Sequence, residues 1–168
     1  NAVRDEQGNI NREIDLERTG QHLYRFTVAE PLDLSQSWTV GWHEGGDPHA
    51  VPLRFEGFFH QLATQLPLGA QVQGRSTVFR LFAPRARSVE LCLCPDLEEA
   101  DEPHRYALVR RREPSPTAPQ PGDACVWELT LDQNLHGWFY WYHLDGPADV
   151  VSHFPSEQRV LDPYALAS

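Results

Sequence analysis

The fold follows from one stretch near the C-terminus, which reads Gly137-Trp138-Phe139-Tyr140-Trp141-Tyr142-His143-Leu144-Asp145-Gly146. Alternate side chains of a β-strand point to opposite faces of the sheet. One face of this stretch therefore carries Trp138, Tyr140, Tyr142 and Leu144, and the other carries Phe139, Trp141 and His143. The Asp-Gly pair at its end is typical of a hairpin-like turn. The stretch predicts a strand with two aromatic faces, one of which belongs to the core.

Shorter stretches with the same alternation precede it at spacings of roughly ten residues, with turn residues between them. These predicted strands lie within residues 24–28, 38–42, 51–55, 78–82, 89–94, 106–110 and 127–131. Gly45-Gly46-Asp47-Pro48 is a strong turn signal, and Phe58, Leu62 and Leu66 have the spacing of a short helix. Many short strands with little helix predict an all-β fold, an antiparallel β-sandwich.

Composition limits the class of partner. The chain has 168 residues, enough for one domain, or one domain and a smaller unit, with a core that needs no disulfide or metal. Its 14 basic residues, all arginine, face 24 acidic ones, and the net charge of -10 argues against nucleic acid and anionic membrane surfaces. It is too short to hold a (β/α)₈ barrel, which takes about 250 residues.

The sequence also bears on location. No apolar run approaches the roughly 18 residues that span a bilayer, and the first 30 residues contain no apolar signal-peptide core. Cys92, Cys94 and Cys125 form an odd set without C-x-x-C spacing, which favours a reducing compartment over a disulfide framework. Cys92 and Cys94 are expected to be buried free thiols. We therefore expect a soluble cytoplasmic protein. Because the chain begins with Asn1 and not with Met, the natural N-terminus and export stay open.

We expect three segments. Residues 1–21 are charged and poor in apolar side chains, which predicts a flexible or loosely helical segment. Residues 22–67 are predicted to form a small β unit that docks on the sandwich or completes a core of its own. Residues 68–168 are predicted to form the sandwich itself.

A set of short motifs in residues 68–168 occurs in a recognisable order. The motifs are Leu68-Gly69-Ala70, Val78 to Ala86, Val89-Glu90-Leu91, Val126 to Leu129, Gly137 to Tyr142, Leu144-Asp145-Gly146 and Val160 to Ala165. This ordered set resembles the N-terminal region of pullulanase-type α-glucan debranching enzymes of glycoside hydrolase family 13, including their carbohydrate-binding module family 48 domain. Residues 31–42 and 51–54 are similar to the small β unit that precedes this module.

The resemblance implies an immunoglobulin-like antiparallel β-sandwich with a smaller N-terminal β unit. It also implies a non-catalytic region that buttresses the catalytic barrel of the same parent chain and contacts an α-glucan such as glycogen, starch or pullulan. In that family the catalytic Asp and Glu lie in a barrel that would follow Tyr164, so we expect no catalytic residue and no cofactor in this chain. Two alternatives stay open: an autonomous glycogen- or starch-binding module, and a generic immunoglobulin-like protein-interaction domain. Whether the parent hydrolyses, transfers or forms branches, and its oligomeric state, also stay open.

The same resemblance singles out candidate carbohydrate-binding residues. In the family, the position that matches Trp141 lies on the outward, sugar-contacting face of the sheet, and Phe139 and His143 share that face. An exposed Trp there would stack on the apolar side of a glucose ring. Glycogen-binding members carry two more aromatic platforms, where this chain reads Pro95 to Glu99 and Pro147-Ala148-Asp149. The alternative is that Trp141 packs against the barrel or the N-terminal unit.

Other candidate sites have structural interpretations. Trp127 has the same two interpretations as Trp141, and we expect it in the core. The eight histidines lack the partner spacing of a metal site, so no metal is expected. The acidic residues Glu98, Glu99, Asp101 and Glu102 are crowded without apolar neighbours that would raise one pKa, which predicts a solvated loop and not a hydrolytic acid pair.

Overall fold

The computed structural model describes residues 2–4, 10–13, 17–18, 24–25, 32–112, 120–149, 152–155 and 157–165. The strands are β1 (Ala2–Arg4), β2 (Ile10–Glu13), β3 (Glu17–Arg18), β4 (Tyr24–Arg25), β5 (Thr39–Glu44), β6 (Asp47–Pro52), β7 (Gly69–Gln73), β8 (Ser76–Phe82), β9 (Ser88–Cys94), β10 (His104–Ala107), β11 (Val109–Arg110), β12 (Val126–Leu131) and β13 (Phe139–Asp145). One short helix, α1 (Glu56–Phe59), and two 3₁₀ turns, Leu97–Glu99 and Asp123–Cys125, complete the described elements. Because every strand pairing is antiparallel, the all-β prediction is confirmed.

Two sheets form the sandwich. The three-stranded sheet has the order β10-β9-β13 and the four-stranded sheet the order β11-β12-β8-β7. Their shared core contains Phe79 and Leu81 from β8, Leu91 and Leu93 from β9, and Tyr142 from β13, which is fully buried. Trp127 also lies in this core, where its indole N–H donates to the carbonyl of Ala83 at 3.1 Å. The predicted inward face of β13 and the core position of Trp127 are therefore confirmed.

A separate four-stranded sheet lies N-terminal to the sandwich. Its order is β2-β1-β5-β6, and Val3, Trp38, Val40 and Phe55 form a separate buried cluster. The structure differs here from the expectation of a flexible or loosely helical segment over residues 1–21, because its described residues form β1, β2 and β3. Val3 supplies the reason, since it is fully buried opposite Val40 of β5. The three segment boundaries stay predictions.

Two local predictions shift by a few residues in this unit. Gly45 and Gly46 have φ angles of 63° and 99°, so they alone form the turn, and Glu44 pairs directly with Asp47. The third strand therefore spans Asp47–Pro52 and not residues 51–55. The predicted helix is only the four residues of α1. Phe26 and Val28 of the first predicted strand lie outside the described residues.

A buried arginine joins the small unit to the sandwich. Arg85 follows β8 and is 3% exposed. Its guanidinium donates to the carbonyls of Leu34 and Gln36 at 3.0 and 3.2 Å, to both carboxylate oxygens of Asp149 at 3.2 and 2.6 Å, and to the hydroxyl of Ser152 at 2.6 Å. All five guanidinium N–H donors are thus used. This one side chain connects the loop before β5, the sandwich and the loop after β13.

The C-terminal segment closes the free edge of β13. Tyr142 and Val160 exchange backbone hydrogen bonds at 2.9 and 2.8 Å. The buried carboxylate of Asp162 accepts from the hydroxyls of Tyr140 and Tyr142 at 3.0 and 3.5 Å. Burial, together with the charge of Asp162, raises the pKa of both tyrosines well above the ordinary value of 10.0. These contacts hold residues 160–164 beside the sandwich.

Candidate functional site

The outward surface of the three-stranded sheet brings the candidate residues together. We call this surface the outer face and define it by Glu90, Cys92, Cys94, Arg105, Phe139, Trp141 and His143. The strand register aligns them, because Trp141 lies opposite Cys92, which in turn lies opposite Arg105. In the same way Phe139 lies opposite Cys94, and His143 lies opposite Glu90. The alternation predicted from the sequence therefore places all three candidates on one face.

Trp141 is covered, although it lies on this outward surface. Its side chain is 5% exposed and packs with Cys92, Cys94 and Ala100. The guanidinium carbon of Arg159 lies 4.8 Å from the centroid of the indole ring. The indole N–H donates to Nε2 of His143 at 3.2 Å, which requires the imidazole to accept at that nitrogen. Of the two alternatives, exposed or packed, the ring is packed, and it is covered by Ala100 and Arg159 of the same module. Its assignment to carbohydrate binding stays a prediction.

Arg159, the side chain that covers the ring, is attached to the loop after β9. A guanidinium N–H of Arg159 donates to the carbonyl of Ala100 at 3.1 Å. The same nitrogen lies 3.7 Å from a carboxylate oxygen of Asp101. The side chain of Arg159 is 51% exposed and that of Asp101 is 100% exposed, so the ion pair lies in water. Arg159 is thus held over Trp141 by its hydrogen bond to Ala100, its ion pair with Asp101 and its cation–π contact with the ring.

Phe139 and a charged pair form the open part of the outer face. Phe139 is 43% exposed. Glu90 accepts from Arg105 at 2.6 Å, and both side chains are substantially exposed. This hydrogen bond raises the pKa of Arg105 above its ordinary value, so the guanidinium stays charged. Phe139 lies opposite Cys94, whereas Glu90 lies opposite His143, so the ring and the charged pair are separated by the Trp141 position on this face. Together they offer an apolar surface for one sugar of a chain and polar partners for the hydroxyls of another.

Cys92 and Cys94 form the floor of this site. Both are buried and free, as the sequence predicts, and Cys125 is buried and free as well. Burial raises the pKa of each thiol above its ordinary value of 9.0, so the neutral thiol prevails near pH 7. Cys92 and Cys94 therefore serve as apolar packing beneath Trp141 and not as nucleophiles. The reducing, cytoplasmic location stays a prediction.

The comparison with protein families identifies the sandwich. The profile described as "Carbohydrate-binding module 48 (Isoamylase N-terminal domain)" matches residues 67–165, which is more than half of the chain. The chain belongs to the carbohydrate-binding module 48 family. No curated protein matches the chain.

Solved structures resemble this module in fold. A pullulanase from Anoxybacillus sp. LM18-11 is 22% identical with a TM-score of 0.51, and the match covers 84% of this chain and 20% of that one. The same enzyme complexed with maltotetraose is 20% identical with a TM-score of 0.50, covering 84% and 19% of the two chains. The chain thus spans about a fifth of these enzymes. At such identity the likeness shows the shared fold.

Two further places on the module correspond to aromatic platforms of glycogen-binding relatives, as the resemblance implies. After β9, the carboxylate of Asp96 accepts from the backbone N–H of Glu98 at 3.1 Å and begins the 3₁₀ turn Leu97–Glu99. Leu97 is exposed there, an apolar side chain that the positions of aromatic residues in the sequence do not reveal. After β13, Asp149 is held by Arg85 in the junction with the N-terminal unit. The first place offers an apolar surface, and the second has a structural role.

Among the described residues, no group of three His, Cys, Asp or Glu side chains is arranged to hold a metal ion. The helical part of the described structure contains no element long and apolar enough to cross a membrane. The assignment of Phe139, Trp141 and His143 to carbohydrate binding stays a prediction.

Proposed function

We propose that the chain is the non-catalytic N-terminal region of a pullulanase-type debranching enzyme that acts on α-1,6 branches of an α-glucan. The match of residues 67–165 to the carbohydrate-binding module 48 family is the observation that carries this proposal. The related fold in a pullulanase that was solved with maltotetraose supports the substrate class. In this proposal the module buttresses a catalytic barrel of the same parent chain and presents its outer face to glucan.

A buttressing role is supported by apolar side chains beside the C-terminal segment. Leu161 and Tyr164 are 75% and 57% exposed, although their neighbour Asp162 is buried. Exposed apolar side chains of this size are common where a second domain or a partner covers them. A barrel that follows this segment would be the nearest body available to do so.

The outer face supports contact with a neutral sugar chain, and its size predicts weak binding. A pyranose stacked on Phe139 would bury about 60 Å² of apolar surface, which is worth about 1.5 kcal/mol at roughly 25 cal/mol per Å². Millimolar affinity corresponds to about 4.1 kcal/mol, so two or three such contacts are needed. Hydrogen bonds to the Glu90–Arg105 pair would supply part of the remainder. We therefore expect millimolar affinity for maltoheptaose.

The test measures glucan binding by the full chain. Mobility in a native gel containing glycogen, and titration with maltoheptaose followed by NMR, report binding without any catalytic step. Phe139→Ala should weaken binding about tenfold, since tenfold corresponds to about 1.4 kcal/mol. Phe58→Ala is the matched control, because Phe58 is 42% exposed but lies on the N-terminal unit, and it should leave binding unchanged.

Two results would count against the proposal. The first is equal mobility of the wild-type chain with and without glycogen, together with an NMR spectrum that does not change in about 20 mM maltoheptaose, about 20 times the expected Kd. This result would favour a protein-interaction domain. If the wild-type chain binds and Phe139→Ala binds equally well, the outer face is not the site.

A further inference from the structure

We infer that Arg159 is a displaceable cover on Trp141 that sets the affinity of the outer face for glucan. This inference rests on the proposed glucan contact and adds that Arg159 regulates that contact. Trp141 has the largest ring on the outer face, yet it is 5% exposed. A pyranose that stacks on this ring needs the position that the guanidinium of Arg159 occupies at 4.8 Å. The sugar and the arginine therefore compete for one surface.

The attachment of Arg159 is weak enough to be reversed. Its hydrogen bond reaches the carbonyl of Ala100, and its ion pair with the fully exposed Asp101 is long, at 3.7 Å. Solvated ion pairs contribute little, and an exposed cation–π contact is also a modest one. Arg85 provides the contrast, because it is buried and all five of its N–H donors are used. Of these two arginines, Arg85 is a fixed structural group and Arg159 is not.

The indole ring of Trp141 is also held by contacts on the side of the sheet. Cys92 and Cys94 support the indole from the sheet, and His143 accepts its N–H. These contacts do not involve Arg159. When Arg159 leaves, the ring therefore keeps its position and becomes a platform continuous with Phe139, two residues away on the same strand face.

This arrangement predicts an unusual salt dependence. A glucan is neutral, so its own contacts are insensitive to ionic strength, whereas the pairing of Arg159 with Asp101 is screened by salt. Only the fraction of molecules with the ring uncovered can bind there, and the apparent affinity falls by that fraction. Salt should therefore strengthen glucan binding in the wild-type chain.

The experiment compares the wild-type chain with Arg159→Gln, which keeps the first three side-chain carbons and a polar end and removes the charged guanidinium. We expect Arg159→Gln to bind maltoheptaose about three- to tenfold more tightly. Raising NaCl from about 0.05 to 0.5 M should tighten wild-type binding about twofold and leave Arg159→Gln unchanged. Arg75→Gln, an exposed arginine between β7 and β8, is the matched control and should behave as wild type.

A second readout needs no sugar. Acrylamide quenching of tryptophan fluorescence should increase in Arg159→Gln, and Trp141→Ala should abolish this increase. Adding Trp141→Ala to Arg159→Gln should also remove the gain in affinity, because the gain acts through the indole. Arg159→Lys keeps the charge and should fall between the wild-type chain and Arg159→Gln in both readouts.

The outcomes separate this inference from the proposed function. If the wild-type chain binds sugar and Arg159→Gln binds equally or more weakly, Arg159 is a structural brace and the inference fails. If quenching increases in Arg159→Gln but neither protein binds sugar, Arg159 does cover Trp141 and the proposed glucan contact fails. The role of Arg159 in setting the affinity for glucan then fails as well. Unchanged quenching overturns the cover itself.

Discussion

The junction between the N-terminal unit and the sandwich should depend on Arg85. In the variant Arg85→Met the aliphatic part of the side chain stays, and the guanidinium with its five hydrogen bonds is lost. The carboxylate of Asp149 loses its ion pair with Arg85 and keeps the hydrogen bonds from the hydroxyl of Ser37 at 3.1 Å and from the backbone N–H of Ser152 at 2.9 Å. The guanidinium charge that faces Asp149 in this nearly closed junction is thus removed.

The expected loss in free energy of unfolding follows from the burial of the Arg85–Asp149 ion pair. The side chains of Arg85 and Asp149 are 4% and 13% exposed. Removing one partner of a buried ion pair costs about 3–5 kcal/mol, because the other charge stays desolvated. Domains are stable by only about 5–15 kcal/mol, so Arg85→Met should remove a large part of the total. In a chain of this length the loss corresponds to a decrease in Tm of roughly 10 °C.

Urea unfolding followed by tryptophan fluorescence measures the effect. Asp149→Asn should cost less than Arg85→Met, and the double variant should cost less than the sum of the two single changes. Arg87→Met is the control, because Arg87 is exposed and also donates to this junction, to the carbonyl of Ser35 at 3.0 Å. It should cost below about 1 kcal/mol. A loss for Arg85→Met no larger than the loss for Arg87→Met would refute the reasoning.

Two further predictions concern the same sandwich. Above pH 10 the unfolded chain releases phenolic protons that the folded chain retains on Tyr140 and Tyr142, since their pKa values are raised by burial and by Asp162. The contribution of these tyrosines to the free energy of unfolding is thus complete below pH 10 and falls above it by up to about 1.4 kcal/mol per pH unit for each tyrosine. Urea titrations of Tyr140→Phe should show a smaller decrease per pH unit. An unchanged decrease would contradict the raised pKa of Tyr140. Separately, a Cβ at Gly122 would lie 2.4 Å from the carbonyl oxygen of Ala63, so Gly122→Ala should cost about 1–3 kcal/mol, and an unchanged melting temperature would show that this close approach relaxes freely.

Local periodicity explains what could be predicted from the sequence. The strands that became β8, β9, β12 and β13 were correctly located because side-chain alternation is a property of the backbone of each strand. The same alternation placed Phe139, Trp141 and His143 together on one face. The order of motifs led to the carbohydrate-binding module 48 family, which the match over residues 67–165 establishes.

The N-terminal segment shows where local patterns fail. Its charge predicted a flexible or helical segment, but β1 pairs with β5, which lies far along the chain. Val3 contributes to this pairing because it completes a cluster whose other buried members are distant in sequence. A pattern within residues 1–21 cannot contain that information.

Alternation and the order of motifs are enough to predict a β-sandwich, the residues that face its core and the family. The covering of Trp141 and the joining of two units by Arg85 become visible in the folded chain alone. The cover is Arg159 and the junction partners of Arg85 lie near residues 34–37 and 149–152. Strand periodicity reports which way a side chain points, whereas the covering of that side chain depends on which distant segment returns to it, and that is fixed by long-range packing.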